Sequence, residues 1–258
     1  MKKVDIRGIP FDNVTLAEAV ELIADRVEKK EKTSVFTPNA EMLDRAFRDG
    51  EFFEVLRCAD VILPDGIGVI KAAEMLGDPL REKVPGVEVG EALFERLSSH
   101  RFFFFGGKPE EEGNPSAADA AAKAVTEKYG ASVVGCRHGY YEKTGAENDA
   151  TLRAIEASNA DVLYVCLGSP TQELWIAENA SKLPQVTLLI ALGGSLDVYG
   201  GNVARAPVFF IDHGIEWLWR LLRQPSRFFR MLALPRFYFG MKRYARRKKR
   251  DERKNGAR

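Results

Sequence analysis

The chain has little sulfur and little histidine. Cys58, Cys136 and Cys166 are its only cysteines in 258 residues, far apart and each in or beside an apolar stretch. An odd, scattered set excludes a disulfide framework and reads as reduced, mostly buried thiols of a cytoplasmic protein. His100, His138 and His213 lie in unrelated contexts, without the spacing that gathers a metal. No Asp-x-Asp pair occurs, the usual device for holding a divalent cation against a diphosphate. Neither GxGxxG nor GxxxxGK[ST] is found, which counts against dinucleotide oxidoreductases and P-loop hydrolases. Long apolar runs are missing too. "FFFF" at Phe102 to Phe105 falls far short of the roughly 18 residues of a membrane span. The opening "MKKVDIRGIPFDN" has basic residues but no apolar stretch of the signal-peptide kind.

What is present suits a globular chain with ample core: 45% hydrophobic and 29% charged residues. The formal net charge of +1 hides an asymmetry. From Asp212 onward there are 15 Lys+Arg and 4 Asp+Glu, a surplus of +11, which leaves −10 on the preceding residues. An acidic body therefore carries a basic tail, and such a tail seeks phosphate on nucleic acid, nucleotide or lipid.

Six short apolar runs alternate with helical patterns: residues 33–37, 59–63, 101–106, 131–135, 161–168 and 186–194. They are bounded by Gly, Pro and Asn, and several are apolar throughout, as strands covered on both faces must be. "TLAEAVELIADRVEKK" opens with a Thr15–Glu18 capping box. The alternation predicts an α/β fold, a mostly parallel sheet of Rossmann-like type, in one unit or two lobes. Residues 1–206 form the expected core, with a lobe boundary near 108–116. Residues 207–245 read as a basic helical appendage, and 246–258 as a disordered basic tail.

In open parallel sheets, ligands sit beyond the carboxyl ends of the strands. Three polar clusters fall there. "TPNAE" carries Thr37 and Asn39, either of which could simply cap a helix. "PDGIG" holds Asp65 between Pro64 and Gly66, either as a turned corner or as a presented acid. "GSPTQE" reads as a complete helix start: Ser169 at the cap, Pro170 first in the helix and Gln172 closing a capping box. A glycine-led helix start is also an anion site, suited to a nucleotide diphosphate. In "FFFFGGKPE", Gly106 and Gly107 form either a tight turn or a place where a ligand approaches the backbone.

Together "TPNAEMLDRA", "ADVILPDGIGVI", "VPGVEV", "GSPTQELWI" and "RAPVFFIDHGIEWLWRLLRQPSRFFR" resemble the WecG/TagA/CpsF family of bacterial glycosyltransferases, from about Asp5 to Phe239. The resemblance implies transfer of an aminosugar from a UDP donor to a lipid-diphosphate-linked sugar in cell-wall or surface-polysaccharide (teichoic acid) synthesis. The best-known reaction moves N-acetylmannosamine onto N-acetylglucosaminyl-diphospho-undecaprenol with inversion. Inversion without a covalent intermediate needs a base for the acceptor hydroxyl, and the resemblance implies Asp65 in that role. Thr37 and Asn39 would orient substrate. Gln172, Lys83, Gly106, Gly107, Gly168 and Gly193 would line the donor, and Arg220, Arg227 and Arg230 would grip the acceptor diphosphate. No metal or other cofactor is expected, so cationic side chains and helix starts would carry the diphosphate charge.

Two positions depart from the family pattern. Lys83 replaces the usual Arg before "VPG", keeping a point charge without the bidentate fork. Thr171 stands where a basic residue often precedes "QE". Fine donor specificity depends on such positions, the reaction class does not.

Arg220, Arg227 and Arg230 share a helix face only if the helix continues through Pro225, where a break is expected. They then suit either a solvated basic face or the diphosphate grip. Phe228, Phe229, Leu232 and Phe237, interleaved with basic residues, would meet an anionic membrane surface, placing the protein peripherally on the inner face of the plasma membrane. A homo-oligomer stays open. The rivals are another donor sugar, such as N-acetylmannosaminuronate or glucose, and a non-catalytic module using the tail on nucleic acid. The second would leave "PDG" and "TPNAE" without a purpose.

Overall fold

The six apolar runs become six strands of one sheet in the computed structural model, which describes residues 2–111, 113–203, 207, 210, 219 and 232–255. They are β3 (Thr33–Phe36), β4 (Val61–Ile62), β5 (Arg101–Gly106), β6 (Ser132–Arg137), β7 (Val162–Cys166) and β8 (Leu188–Ala191). The order is β4-β3-β8-β7-β5-β6, and every pairing is parallel. All residues of β7 and β8 are buried, which is why these strands read as unbroken apolar runs. The "FFFF" run serves both faces. Phe103 and Phe105 enter one core layer, and Phe102 and Phe104 enter the other, where Phe94 meets them at ring centroids of 5.4 and 5.9 Å.

One layer is packed by helices α2 (Ala40–Ala46), α3 (Gly50–Arg57), α4 (Ile67–Leu76), α7 (Gly145–Ser158) and α8 (Thr171–Asn179). The other is packed by α1 (Leu16–Glu28), α5 (Gly86–Arg96), α6 (Ala117–Tyr129) and α9 (Ser195–Tyr199). The Thr15–Glu18 capping box forms at the start of α1. From β5 the chain crosses through α6 to β6 on one face. From β7 it crosses through α8 to β8 on the other face and in the opposite direction. A crevice therefore opens between the carboxyl ends of β5 and β7, the place where such sheets receive ligands. Residues 108–111 and 113–115, within the expected lobe boundary, run along the surface from β5 toward α6 of this continuous sheet. Of the thiols, Cys166 is buried, Cys136 half-buried and Cys58 exposed where it caps the end of α3.

A hairpin that the sequence reading misses opens the chain: β1 (Lys3–Ile6) pairs antiparallel with β2 (Ile9–Asp12). Its turn places both Arg7 (φ 55°) and Gly8 (φ 94°) at positive φ, the conformation of a tight hairpin turn that Asn-Gly would have signalled. The Asp5 carboxylate accepts from Gly8 N–H and steadies it. Val4, Ile6, Ile9 and Phe11 join the core, and the buried Asp12 accepts from Ile62 N–H on edge strand β4 at 2.9 Å.

The C-terminal helix corrects two expectations. Helix α10 (Ala233–Asn255) continues through residues 246–255, where disorder is expected. Lys, Arg and Glu are good helix formers, and nothing breaks the run before Gly256. Nor is α10 a detached appendage. Ala233, Phe237, Met241 and Ala245 are buried, and the helix packs on α2 and α4. Phe237, expected at the bilayer, instead stacks on Phe47 at 6.3 Å between centroids. Arg236 forms an ion pair with the buried Asp44 of α2, and the Arg7 guanidinium lies over the rings of Phe47 (4.1 Å) and Tyr244 (5.0 Å). Leu232, with half its surface exposed, is the member of the expected apolar set that stays outward; Phe228 and Phe229 lie outside the described residues. Phe237→Ala should cost about 3–5 kcal/mol of stability, the usual range for emptying a buried Phe site. Urea denaturation would measure it, and a loss below about 1 kcal/mol would mean that α10 is not part of the core.

Candidate site at the carboxyl edge of the sheet

Pairing of β3 with β4 brings two polar clusters together. Leu63 N–H donates to Phe36 O (2.9 Å), and Asp65 N–H donates to Pro38 O (3.2 Å), so the ladder continues past both strand ends. Asp65 thus lies beside the Thr37–Asn39 loop, half-buried. Gly66 follows at φ 89°, a conformation that favours glycine, and lets the chain turn directly into α4. Asn39 does cap a helix: its Oδ1 accepts from Met42 N–H at the start of α2. That leaves its amide NH₂ as the group with donors to offer. Thr37 is buried and does not cap. Its hydroxyl lies 3.5 Å from Ala191 O at the end of β8. The "VPG" turn closes this corner. Val84 N–H donates to Pro64 O (2.7 Å), and a Cβ at Gly86 would stand 2.7 Å from Thr37 Oγ1. Lys83, half-buried, immediately precedes Val84 and so adjoins the Asp65 loop.

The glycines fall in the neighbouring crevice. Gly107 N–H donates to Cys166 O (3.2 Å), and Gly139 N–H donates to Gly107 O (2.9 Å), tying the ends of β7, β5 and β6 together. Any Cβ at Gly106 would run into the Cys166 carbonyl, so this position admits only glycine without parting β5 from β7. The loop after β6, which the sequence reading does not single out, adds Arg137 and Tyr141. The Arg137 guanidinium lies 5.2 Å from the Tyr141 ring centroid, and its buried Nε makes no hydrogen bond among the described residues. The signal available was a glycine between a basic residue and a Tyr pair, "RHGYY", at a strand end.

Gln172 connects the two parts, although not as a capping residue. Helix α8 begins at Thr171 with Pro170 at its cap and no side-chain capping bond, so Ser169 lies outside it. The Gln172 Oε1 accepts instead from Gly168 N–H (3.2 Å) and Gly193 N–H (2.9 Å). It bridges the loops after β7 and β8, the central pair of strands. Its Nε2 donates to Glu173 Oε1 at 2.6 Å. Glu173 is fully buried, and loss of hydration there raises its carboxyl to about 7.

Thr37, Asn39, Asp65 and Lys83 therefore share one corner. Gly106, Gly107 and Gly168 share the adjoining crevice, and Gln172 with Gly193 spans the gap. Arg220, Arg227 and Arg230 lie outside the described residues. Among the described residues, no cluster of His, Cys, Asp and Glu could hold a metal ion, and no helix is long and apolar enough to cross a membrane.

An open parallel sheet with its polar loops gathered at one edge, and glycines where strands diverge, defines a Rossmann-like α/β protein with a ligand crevice. The sequence profile of the Glycosyl transferase WecG/TagA/CpsF family matches residues 4–251, and the chain belongs to that family. It is a glycosyltransferase. Similar proteins include the N-acetylglucosaminyldiphosphoundecaprenol N-acetyl-beta-D-mannosaminyltransferase of Bacillus spizizenii (strain ATCC 23059 / NRRL B-14472 / W23), 34% identical over 79% of this chain and 76% of the relative. The protein of the same name from Staphylococcus aureus (strain MRSA252) is 32% identical over 92% of this chain and 91% of its own.

Proposed function

We propose that the chain moves N-acetylmannosamine from UDP to the GlcNAc of a polyprenyl-diphosphate-linked acceptor, with inversion and without a metal, in cell-wall or surface-polysaccharide synthesis. The observation that carries this reading is the meeting of Asp65 with Thr37 and Asn39 beside a glycine-lined crevice. The names of the similar proteins agree with the acceptor and the sugar. Asp65 takes the proton of the acceptor hydroxyl as the sugar arrives. Asn39 offers its amide donors, and Thr37 a hydroxyl, to orient the reacting sugars. The UDP moiety occupies the crevice, where Gly168, with open space in place of a Cβ, lets it approach the backbone, while Gly106 and Gly107 shape the crevice wall by packing against Cys166 and Ala117. Lys83 and Arg137 supply positive charge toward the leaving diphosphate.

The outward face of α10 supports work at an anionic membrane. Tyr238 and Phe239 are exposed, and Phe239 shares a shallow surface with Lys242, Arg243, Arg246, Arg247 and Arg250. Aromatic rings among basic residues suit the headgroup layer, with roughly 1 kcal/mol of attraction per basic residue near the surface.

A panel of UDP-sugars offered with one synthetic lipid-diphosphate GlcNAc acceptor tests the reading. UDP-N-acetylmannosamine should give the fastest transfer, undiminished in excess EDTA. Preference for another UDP-sugar would replace the donor. Loss in EDTA restored by Mg²⁺ or Mn²⁺ would overturn metal independence.

A further inference from the structure

Glu173 has no task in the chemistry above, yet it is a carboxyl side chain with no exposed surface. Burying such a group is unfavourable, and an apolar residue of similar size would sit there at less cost. Its two oxygens differ. Oε1 accepts from Gln172 Nε2, whereas Oε2 is buried without a hydrogen bond among the described residues. Ser169 Oγ lies near enough to ease ionisation of the carboxyl, but it too is buried without a hydrogen bond.

The arrangement of the Gln172 amide follows from its neighbours. Gly168 N–H and Gly193 N–H are both donors, so the amide atom facing them has to be the oxygen. The amide nitrogen then points inward and needs an acceptor. Glu173 Oε1 supplies it. Without that acceptor the nitrogen would be buried unpaired, and turning the amide over would set NH₂ against two N–H groups.

We infer that Glu173 is a positioning residue of the donor site. Its carboxyl orients the Gln172 amide, and Gln172 in turn holds the Gly168 and Gly193 loops at the spacing that receives the nucleotide. The inference rests on the donor reading above and deepens it. Glutamine at 173 would still offer an oxygen to Gln172 Nε2, whereas leucine fills similar space and offers none.

The test is calorimetric titration with UDP of the full-length chain and its variants. Glu173→Leu should weaken UDP binding about tenfold or more, and Glu173→Gln should stay within about threefold of the parent. The melting temperature of Glu173→Leu should fall by a few degrees, since Gln172 Nε2 loses its acceptor; a purely structural role would lower it while leaving UDP binding by the folded variant unchanged. Glu173→Ala, which also lacks the acceptor, serves if the leucine variant does not fold. Parent-like UDP binding by Glu173→Leu, or equal losses in Leu and Gln variants, would overturn the role of Glu173 alone. Failure of the parent chain to bind UDP would overturn the donor reading and this inference with it.

Discussion

Replacing Asp65 by Asn is expected to cut transfer by about 10²–10⁴, the usual contribution of a general base. UDP binding and melting temperature should barely change. The substitution keeps the size of the side chain, and the bond from Asp65 N–H to Pro38 O, which joins this loop to its neighbour, belongs to the backbone and is kept. The turn into α4 depends on Gly66, not on the acid. What the amide cannot do is take the proton from the acceptor hydroxyl. Steady-state turnover of the purified variant with a lipid-linked acceptor measures the effect. Retention of more than half the parent rate would remove Asp65 from the role of base.

The second large effect is expected at Arg220, Arg227 and Arg230. Substituting all three by Ala should lower transfer to a lipid-linked acceptor by about a hundredfold or more, as when a paired, desolvated charge loses its partner. Binding to anionic vesicles should weaken only modestly. The basic face of α10, with Lys242, Arg243, Arg246, Arg247 and Arg250, is untouched. The three arginines precede a helix seated on α2 and α4, whose first turns follow Asn39 and Gly66. Comparing vesicle sedimentation with turnover separates the two roles. Normal transfer with impaired vesicle binding would make these arginines surface anchors, and Lys83 would be the next residue to substitute.

The sheet was readable because burial on both faces leaves a mark: a run such as Val162–Cys166 has no polar alternative to disguise it. The hairpin left only Gly8, since its strands have four residues each and an arginine occupies the first of the turn's two positive-φ positions. The packing of α10 was hidden for another reason. A basic helix with an apolar stripe has the same pattern whether the stripe meets lipid or protein, so Phe237 reads equally well either way. At the site, residue types were legible but adjacency was not. That Asp65 adjoins Asn39 depends on β3 pairing with β4, and strand order is not written in any one segment. Gln172 misled because Ser-Pro-x-Gln also spells a helix start, whereas its oxygen is taken by Gly168 and Gly193, the latter 21 residues away.

The seating of α10 also bears on how the protein is made. During synthesis α2 and α4 emerge early, with the Phe47 ring uncovered and the Arg236 partner of Asp44 still to come. Their cover is complete only after the ribosome has passed Ala245, nearly the last residue that the core buries. A nascent chain therefore carries a finished sheet and an unfinished flank over the last part of its translation, and a product stopped short would keep that aromatic flank open to chaperones and proteases.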